Sequence, residues 1–173
     1  MPGKVFLEGD KVNLRTIEEE DIDFLTEVNN PNVWEWLGSV SKPQNREQQK
    51  QFFENAICSD EEVHLAISKE EEMKGIISLI PKDDATAKIG LWIAEEFHGN
   101  GYGTEASKIV VDYAFGELRY HKVFARSEVD NKGSKRIWEK LGFQEEGELR
   151  EQSYREGEFQ NILVYGVLED EWD

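Results

Sequence analysis

The run Phe97-His98-Gly99-Asn100-Gly101-Tyr102-Gly103-Thr104-Glu105-Ala106 joins an apolar, strand-like approach to an amphipathic helical continuation through three alternating glycines. Without a Cβ, such a stretch can turn sharply and aim several backbone N–H groups at one oxyanion. The following helix adds its unpaired first-turn amides and the positive end of its dipole. The natural occupant is a phosphate group. A Walker loop would need Gly-Lys followed by Ser or Thr, and none occurs. A dinucleotide fingerprint is spaced G-x-G-x-x-G, whereas these glycines stand at 99, 101 and 103 and fall past mid-chain.

The segment His98-Gly99-Asn100-Gly101-Tyr102-Gly103 resembles the pyrophosphate loop Q/R-x-x-G-x-G/A of the Gcn5-related N-acetyltransferase (GNAT) family, with His98 in place of Gln or Arg. Its continuation Thr104-Glu105-Ala106 is similar to the RimJ/RimL-like branch, which acetylates ribosomal-protein N-termini. Two further blocks in the same order resemble that branch: Asn131-Lys132-Gly133-Ser134 with Trp138-Glu139-Lys140-Leu141-Gly142-Phe143, and Gly157-Glu158-Phe159 with Tyr165-Gly166-Val167-Leu168. The Leu14-Arg15 start extends the resemblance to nearly the whole chain.

The resemblance implies a single-domain α+β GNAT fold over residues 1–173. Its mixed, mostly antiparallel sheet has splayed central strands flanked by helices. It implies acetyl-CoA as donor substrate, with no metal, and an amine acceptor: a peptide N-terminus or a small amine. His98, Gly99, Asn100, Gly101, Tyr102, Gly103 and Thr104 would hold the cofactor's phosphates, and the strand Leu91-Trp92-Ile93 would donate backbone amides to it. The Leu91 amide is the closest match for binding the thioester oxygen, although Leu91 and Ile93 also read as core residues. Asn131 would contact the pantetheine arm or an ordered water, or cap the helix after it. Ser134 would cap, hydrogen-bond the cofactor or relay a proton near the sulfur.

Two departures carry chemical weight. Many family members place a Tyr seven residues after the Asn as acid for the leaving thiolate, and Trp138 stands there, whose indole N–H is no practical proton donor. A thiol pKa of roughly 8.5 leaves water, or a water bound by Ser134, as the proton source. Asn161 stands where RimJ/RimL-like sequences commonly carry Asp; some polyamine-acetylating relatives resemble this chain in having Asn there. The reading is direct attack by a primary amine with no covalent enzyme intermediate. Its alternatives are a polyamine-type enzyme and a catalytically silent acyl-CoA sensor. Glu35, between Trp34 and Trp36, is the candidate to bind the ammonium and pass its proton to water, beside the bland reading of an exposed acid. His64 and His121 begin strands, where solvent-facing or edge positions need no further explanation.

Composition limits the rest. A chain of 173 residues with 38% hydrophobic content and five Trp fits one domain with a real core. No apolar run approaches the ~20 residues of a membrane span, and the polar start lacks a signal peptide, so a cytoplasmic location without membrane contact is expected. The family resemblance implies a monomer or a homodimer. The formal net charge of −17 argues against direct nucleic-acid binding, which needs clustered Lys and Arg. It would draw cationic acceptors inward, but acid runs such as Glu18-Glu19-Glu20-Asp21 favour a solvated, solubility-conferring surface. The lone cysteine, Cys58, excludes an internal disulfide framework and reads as a buried, inert thiol.

The elements that must position these residues follow from period and punctuation. A strand is expected at Val12–Arg15, a helix from Glu18 to about Val28, and a second helix opened by Pro43 and reaching about Ile57. Val63–Ser68 and Lys74–Ile80 read as a hairpin, and Ala87–Ala94 as the strand feeding the glycine loop. A helix over Thr104 to about Leu118, a strand over Val123–Val129 and a short helix over Ser134–Leu141 follow. Phe143–Leu149 and Phe159–Leu168 close the chain as paired strands across Glu156-Gly157.

Overall fold

The computed structural model describes residues 3–27 and 42–173. Glu35, Trp34, Trp36 and Val28 lie outside the described residues. Eight strands among those described form one sheet: β1 (Val5–Leu7), β2 (Asn13–Thr16), β3 (Val63–Lys69), β4 (Glu72–Pro81), β5 (Thr86–Ile93), β6 (Lys122–Glu128), β7 (Gln144–Arg155) and β8 (Glu158–Leu168). Their spatial order is β1-β2-β3-β4-β5-β6-β8-β7, antiparallel except for β5 beside β6. The described helices are α1 (Ile22–Glu27), α2 (Arg46–Phe52), α3 (Tyr102–Gly116) and α4 (Lys132–Lys140).

Successive side chains of a strand point to opposite faces, which sorts the core into two layers. On one face, Leu65, Ile77, Ile89, Val123, Ala125 and Tyr165 are buried against Ala106, Val110 and Ala114 of α3 and Trp138 of α4. On the other, Ala66 and Ile76 pack with Leu25 and Phe24 of α1 and with Phe53 and Ile57 just past α2. Helices therefore cover both faces, and a strand residue's parity states which helices it meets.

Local chemistry sets the boundaries where they depart from expectation. The first helix begins as a 3-10 turn over Glu19–Asp21, because the Asp21 carboxylate takes two hydrogen bonds of 2.8 Å from the buried Arg15 guanidinium and one from the Glu18 N–H. α2 opens three residues after Pro43: Asn45 Oδ1 accepts from Gln48 N (3.0 Å) and Gln48 Oε1 accepts from Asn45 N (2.9 Å), a reciprocal capping box. One wider turn over Phe53–Ile57 follows and ends at Cys58, which is exposed rather than buried as expected. α3 opens at Tyr102, two residues early, because Gly101 (φ +78°) is the last non-helical residue.

The β3–β4 hairpin turns on Glu70 and Glu71 at φ 50° and 71°, the left-handed pair that matches the twist of its strands. β7 runs well past Leu149. Its register shifts between Leu149 and Ser153, and Asn161 of β8 holds that bulge, accepting from Glu151 N (2.8 Å) and donating to Glu148 Oε1 (2.6 Å). The side chain that marks a departure from the family pattern thus has a structural task here.

Candidate active site

β5 and β6 pair only at Thr86↔Lys122, Ala87↔Val123 and Lys88↔Phe124. Beyond that, β5 continues to Ile93 on β4 alone and β6 continues to Glu128 on β8 alone. The two central strands therefore part, leaving a cleft with open backbone edges.

The phase of the ladders decides which groups face the cleft. Ala94 N donates to Lys74 O (3.0 Å), so antiparallel alternation commits the backbone groups of Trp92 and Gly90 to β4 and turns those of Leu91 and Ile93 toward the cleft. Val129 N donates to Asn161 O (3.1 Å), which by the same alternation turns Arg126 and Glu128 inward from β6. The expectation for the run Leu91-Trp92-Ile93 is thereby narrowed: Trp92 spends its amide on β4 and presents its indole to Phe24 of α1 at 6.2 Å between centroids. Leu91 and Ile93 also pack their side chains on the core.

The glycine loop is pinned to the end of β5. His98 Nε2 donates to Ile93 O (2.8 Å), Asn100 Nδ2 donates to Phe97 O (3.0 Å), and the Lys74 ammonium sits 3.9 Å from the centre of the Phe97 ring. Gly99 and Gly101 take φ of +79° and +78°, a region closed to most side chains. Gly103 does a different job: a Cβ there would lie 3.0 Å from both Ile137 and Leu91, so its absence lets α3 close onto α4 and β5. The first-turn amides of α3 open beside Lys11, whose Nζ lies 3.1 Å from the position of a Gly101 Cβ. Glu105, half-buried like Thr104 in this first turn, accepts from Lys11 N (2.7 Å) and ties the β1–β2 connection to the helix start. Left-handed glycines, free helix-start amides and one ammonium fit a diphosphate.

Across the cleft, Asn131 is the N-cap of α4, with Oδ1 accepting from Ser134 N (3.0 Å). Trp138, 2% exposed, donates its indole N–H to Ser134 Oγ (2.8 Å) and packs at a tilt against Phe143. The indole proton fills one lone pair of Ser134, which leaves the serine's own proton to be given elsewhere. Trp138→Phe removes that bond while keeping an aromatic ring; we expect a loss of about 1–2 kcal/mol of stability and a fall in turnover larger than any change in donor affinity, read by urea unfolding and steady-state kinetics.

The profile of the acetyltransferase (GNAT) domain family matches residues 11–144, most of the chain. This chain belongs to the GNAT family. The acetyltransferase is 28% identical over 171 residues to the "Putative ribosomal N-acetyltransferase YdaF" of Bacillus subtilis (strain 168), covering 94% of this chain and 93% of that one. It is 25% identical over 169 residues to the spermidine N(1)-acetyltransferase of Escherichia coli (strain K12), covering 93% and 88%. The crystal structure of spermidine N-acetyltransferase from Vibrio cholerae, in complex with CoA and spermine, superposes with a TM-score of 0.86 at 23% identity, covering 94% of this chain and 98% of that one. The protein is thus an acetyl-CoA-dependent N-acetyltransferase with the α+β fold of its family.

On the α1/α2 face of the cleft the acetyltransferase presents Trp92, Gly90 and Lys88 in succession. A Cβ at Gly90 would meet only Ser78 Cβ, at 3.9 Å, so this face is open among the described residues. Burial, and then the charges of Lys82 and Arg126, hold the half-buried Lys88 below the ordinary lysine range, with Glu62 acting in the opposite sense. At the end of β6, Glu128 is 3% exposed, accepting from Ser153 Oγ (2.6 Å) and Arg155 Nε (2.7 Å).

The acetyltransferase thus brings together Leu91, Ile93, the glycine loop, Asn131 and Ser134. Lys11 and Lys88 escaped the sequence reading, since a lone lysine on a strand or in a turn carries no local signal of the loop or cleft it reaches. His64 corrects the expectation of a solvent-facing side chain: its ring is 7% exposed and hydrogen-bonded at both nitrogens, because α2 folds Phe52 over it.

Proposed function

We propose that the enzyme transfers the acetyl group of acetyl-CoA to the α-amine of a peptide N-terminus, as RimJ/RimL-like enzymes do, by direct attack without a covalent enzyme intermediate. The observation that carries this choice of acceptor is Lys88, half-buried on the open face, where the charges of Lys82 and Arg126 act on it more strongly than that of Glu62. A polyamine would bring its further ammonium groups against these cations. A peptide brings one ammonium and then neutral carbonyls or acidic side chains that cations welcome.

In this reading the glycine loop, the first turn of α3 and Lys11 bind the diphosphate of the donor, and the cleft edges of β5 and β6 hold its arm. The Leu91 N–H, aimed into the cleft, donates a hydrogen bond to the thioester oxygen and polarises the carbonyl. The amine arrives over Gly90 from the α1/α2 face. Ser134, oriented by Trp138, donates a proton to the departing sulfur. Asn131 fixes the start of α4 and keeps its amide NH2 for the arm. The likeness to YdaF supports a peptide acceptor, and the likeness to spermidine acetyltransferases supports the competing one.

Turnover on N-terminal peptides against spermidine and spermine tests the assignment, with peptide preferred by at least tenfold in kcat/KM. Preference for the polyamines would overturn it. A second expected outcome concerns the acceptor path. Gly90→Val meets no backbone and suits a strand, so it should fold and bind acetyl-CoA normally while lowering kcat/KM for the amine by about tenfold or more, as a side chain fills the approach.

A further inference from the structure

We infer that Ser78, His64 and Glu62 form a proton relay that deprotonates the acceptor ammonium, a role for which Glu35 was the candidate in the sequence. The inference rests on the transferase reading above and adds the base that reading lacks.

The register places three positions in one row across the sheet: His64 opposite Ser78, and Ser78 opposite Gly90. All lie on the α1/α2 face, by parity with Ala66, Ile76 and Trp92. His64 Nε2 is 2.8 Å from Glu62 Oε2, and His64 Nδ1 is 2.7 Å from Ser78 Oγ. A carboxylate only accepts, so Nε2 carries the proton; Nδ1 then offers a lone pair, and the Ser78 hydroxyl donates to it. Ser78 keeps its own lone pairs for the side where Gly90 has no side chain, one residue from Leu91.

The burial of each member suits conduction in one direction. The His64 side chain is 7% exposed and covered by Phe52, which stands edge-on at 6.5 Å, so its route to the cleft runs through Ser78. Glu62 is 33% exposed and opens the far end to solvent. Glu62 meets the imidazole directly, Lys88 acts on Glu62 from β5, and Phe52 of α2 packs against the ring without a charge.

The step balances. The ammonium gives a proton to Ser78 Oγ as the serine's own proton passes to His64 Nδ1, and Glu62 holds the resulting imidazolium until a proton leaves to solvent. The freed lone pair forms the C–N bond, the C–S electron pair leaves with sulfur, and the second amine proton replaces, through water, the one Ser134 gives to sulfur. One ammonium and one thioester become one amide, one thiol and one proton.

The test is the pH profile of kcat for CoA release in wild type, Ser78→Ala, His64→Gln and Glu62→Gln, using whichever of an N-terminal peptide or spermidine is turned over. Ser78→Ala and His64→Gln should lower kcat by about 10²-fold and abolish its acid limb, with KM for acetyl-CoA within about twofold. Glu62→Gln, at a partly exposed position that spares the fold, should lower kcat by about tenfold with KM for acetyl-CoA within about twofold, because the neutral amide no longer stabilises the imidazolium formed in the step. A merely structural hydrogen bond would move no limb. Wild-type turnover with an unchanged profile in Ser78→Ala and Glu62→Gln overturns the relay alone. Acetyl-CoA bound without turnover of any amine overturns the transferase reading and the relay with it.

Discussion

Glu128→Gln is expected to cost about 3 kcal/mol of stability, measured by urea unfolding, and to lower turnover as well. Glu128 is almost fully buried at the end of β6 and meets Arg155, itself 10% exposed, at 2.7 Å. A buried ion pair is costly to desolvate and more costly to break, because the surviving charge stays in a medium that solvates it poorly. The amide can still accept from Ser153, and Asp130 (3.8 Å) and Glu156 (3.3 Å) still approach the guanidinium from exposed positions, which keeps the loss at the low end of the usual range. The loss should reach the chemistry because Asn131 N donates to Glu128 O (3.0 Å), so the strand end that carries the pair also sets the start of α4 and hence Ser134. The double variant Glu128→Leu with Arg155→Met should recover most of the stability, since a well-packed apolar pair replaces both charges. Equal losses in single and double variants would contradict the assignment of the cost to an orphaned charge.

Gly101→Val should weaken acetyl-CoA binding by at least about 10²-fold in calorimetry. Two hydrogen bonds to phosphate, each about 1.5–3 kcal/mol, are at stake when a side chain enters the space between the loop and Lys11. The substitution also forces a β-branched residue to φ +78°, at roughly 1–2 kcal/mol of folding stability. Gly142 supplies the control, with φ of +81° and nothing within 4 Å of a Cβ. Gly142→Val should show a similar fall in stability with little change in affinity. Equal affinity losses at 101 and 142 would mean that backbone strain, not phosphate contact, explains the effect.

Local signals made parts of this site legible and left others invisible. The glycine loop, its strand and its helix are contiguous, so their order is readable directly, and the capping residues of α2 and α4 were present as Asn45-x-x-Gln48 and Asn131-x-x-Ser134. Pro43 is nonetheless the louder sign for the start of α2, while the reciprocal cap at Asn45 determines the boundary. β1 has three residues on a sheet edge, too few to display alternation. β7 escaped beyond Leu149 because most of its residues are exposed on both faces and its pattern lacks the period of a half-buried strand. The parting of β5 and β6 is a relation between strands some thirty residues apart and came only from the family resemblance. His64 is the instructive miss: a histidine opening a strand is unremarkable until the register sets Ser78 beside it and the fold brings α2 over it.

The most direct test of the account is release of CoA from acetyl-CoA by the full chain, measured against N-terminal peptides, spermidine and spermine, with acetyl-CoA binding followed in parallel by calorimetry. Binding of acetyl-CoA with turnover, highest on the peptides, is the predicted result. Binding without release of CoA across the whole panel would contradict it.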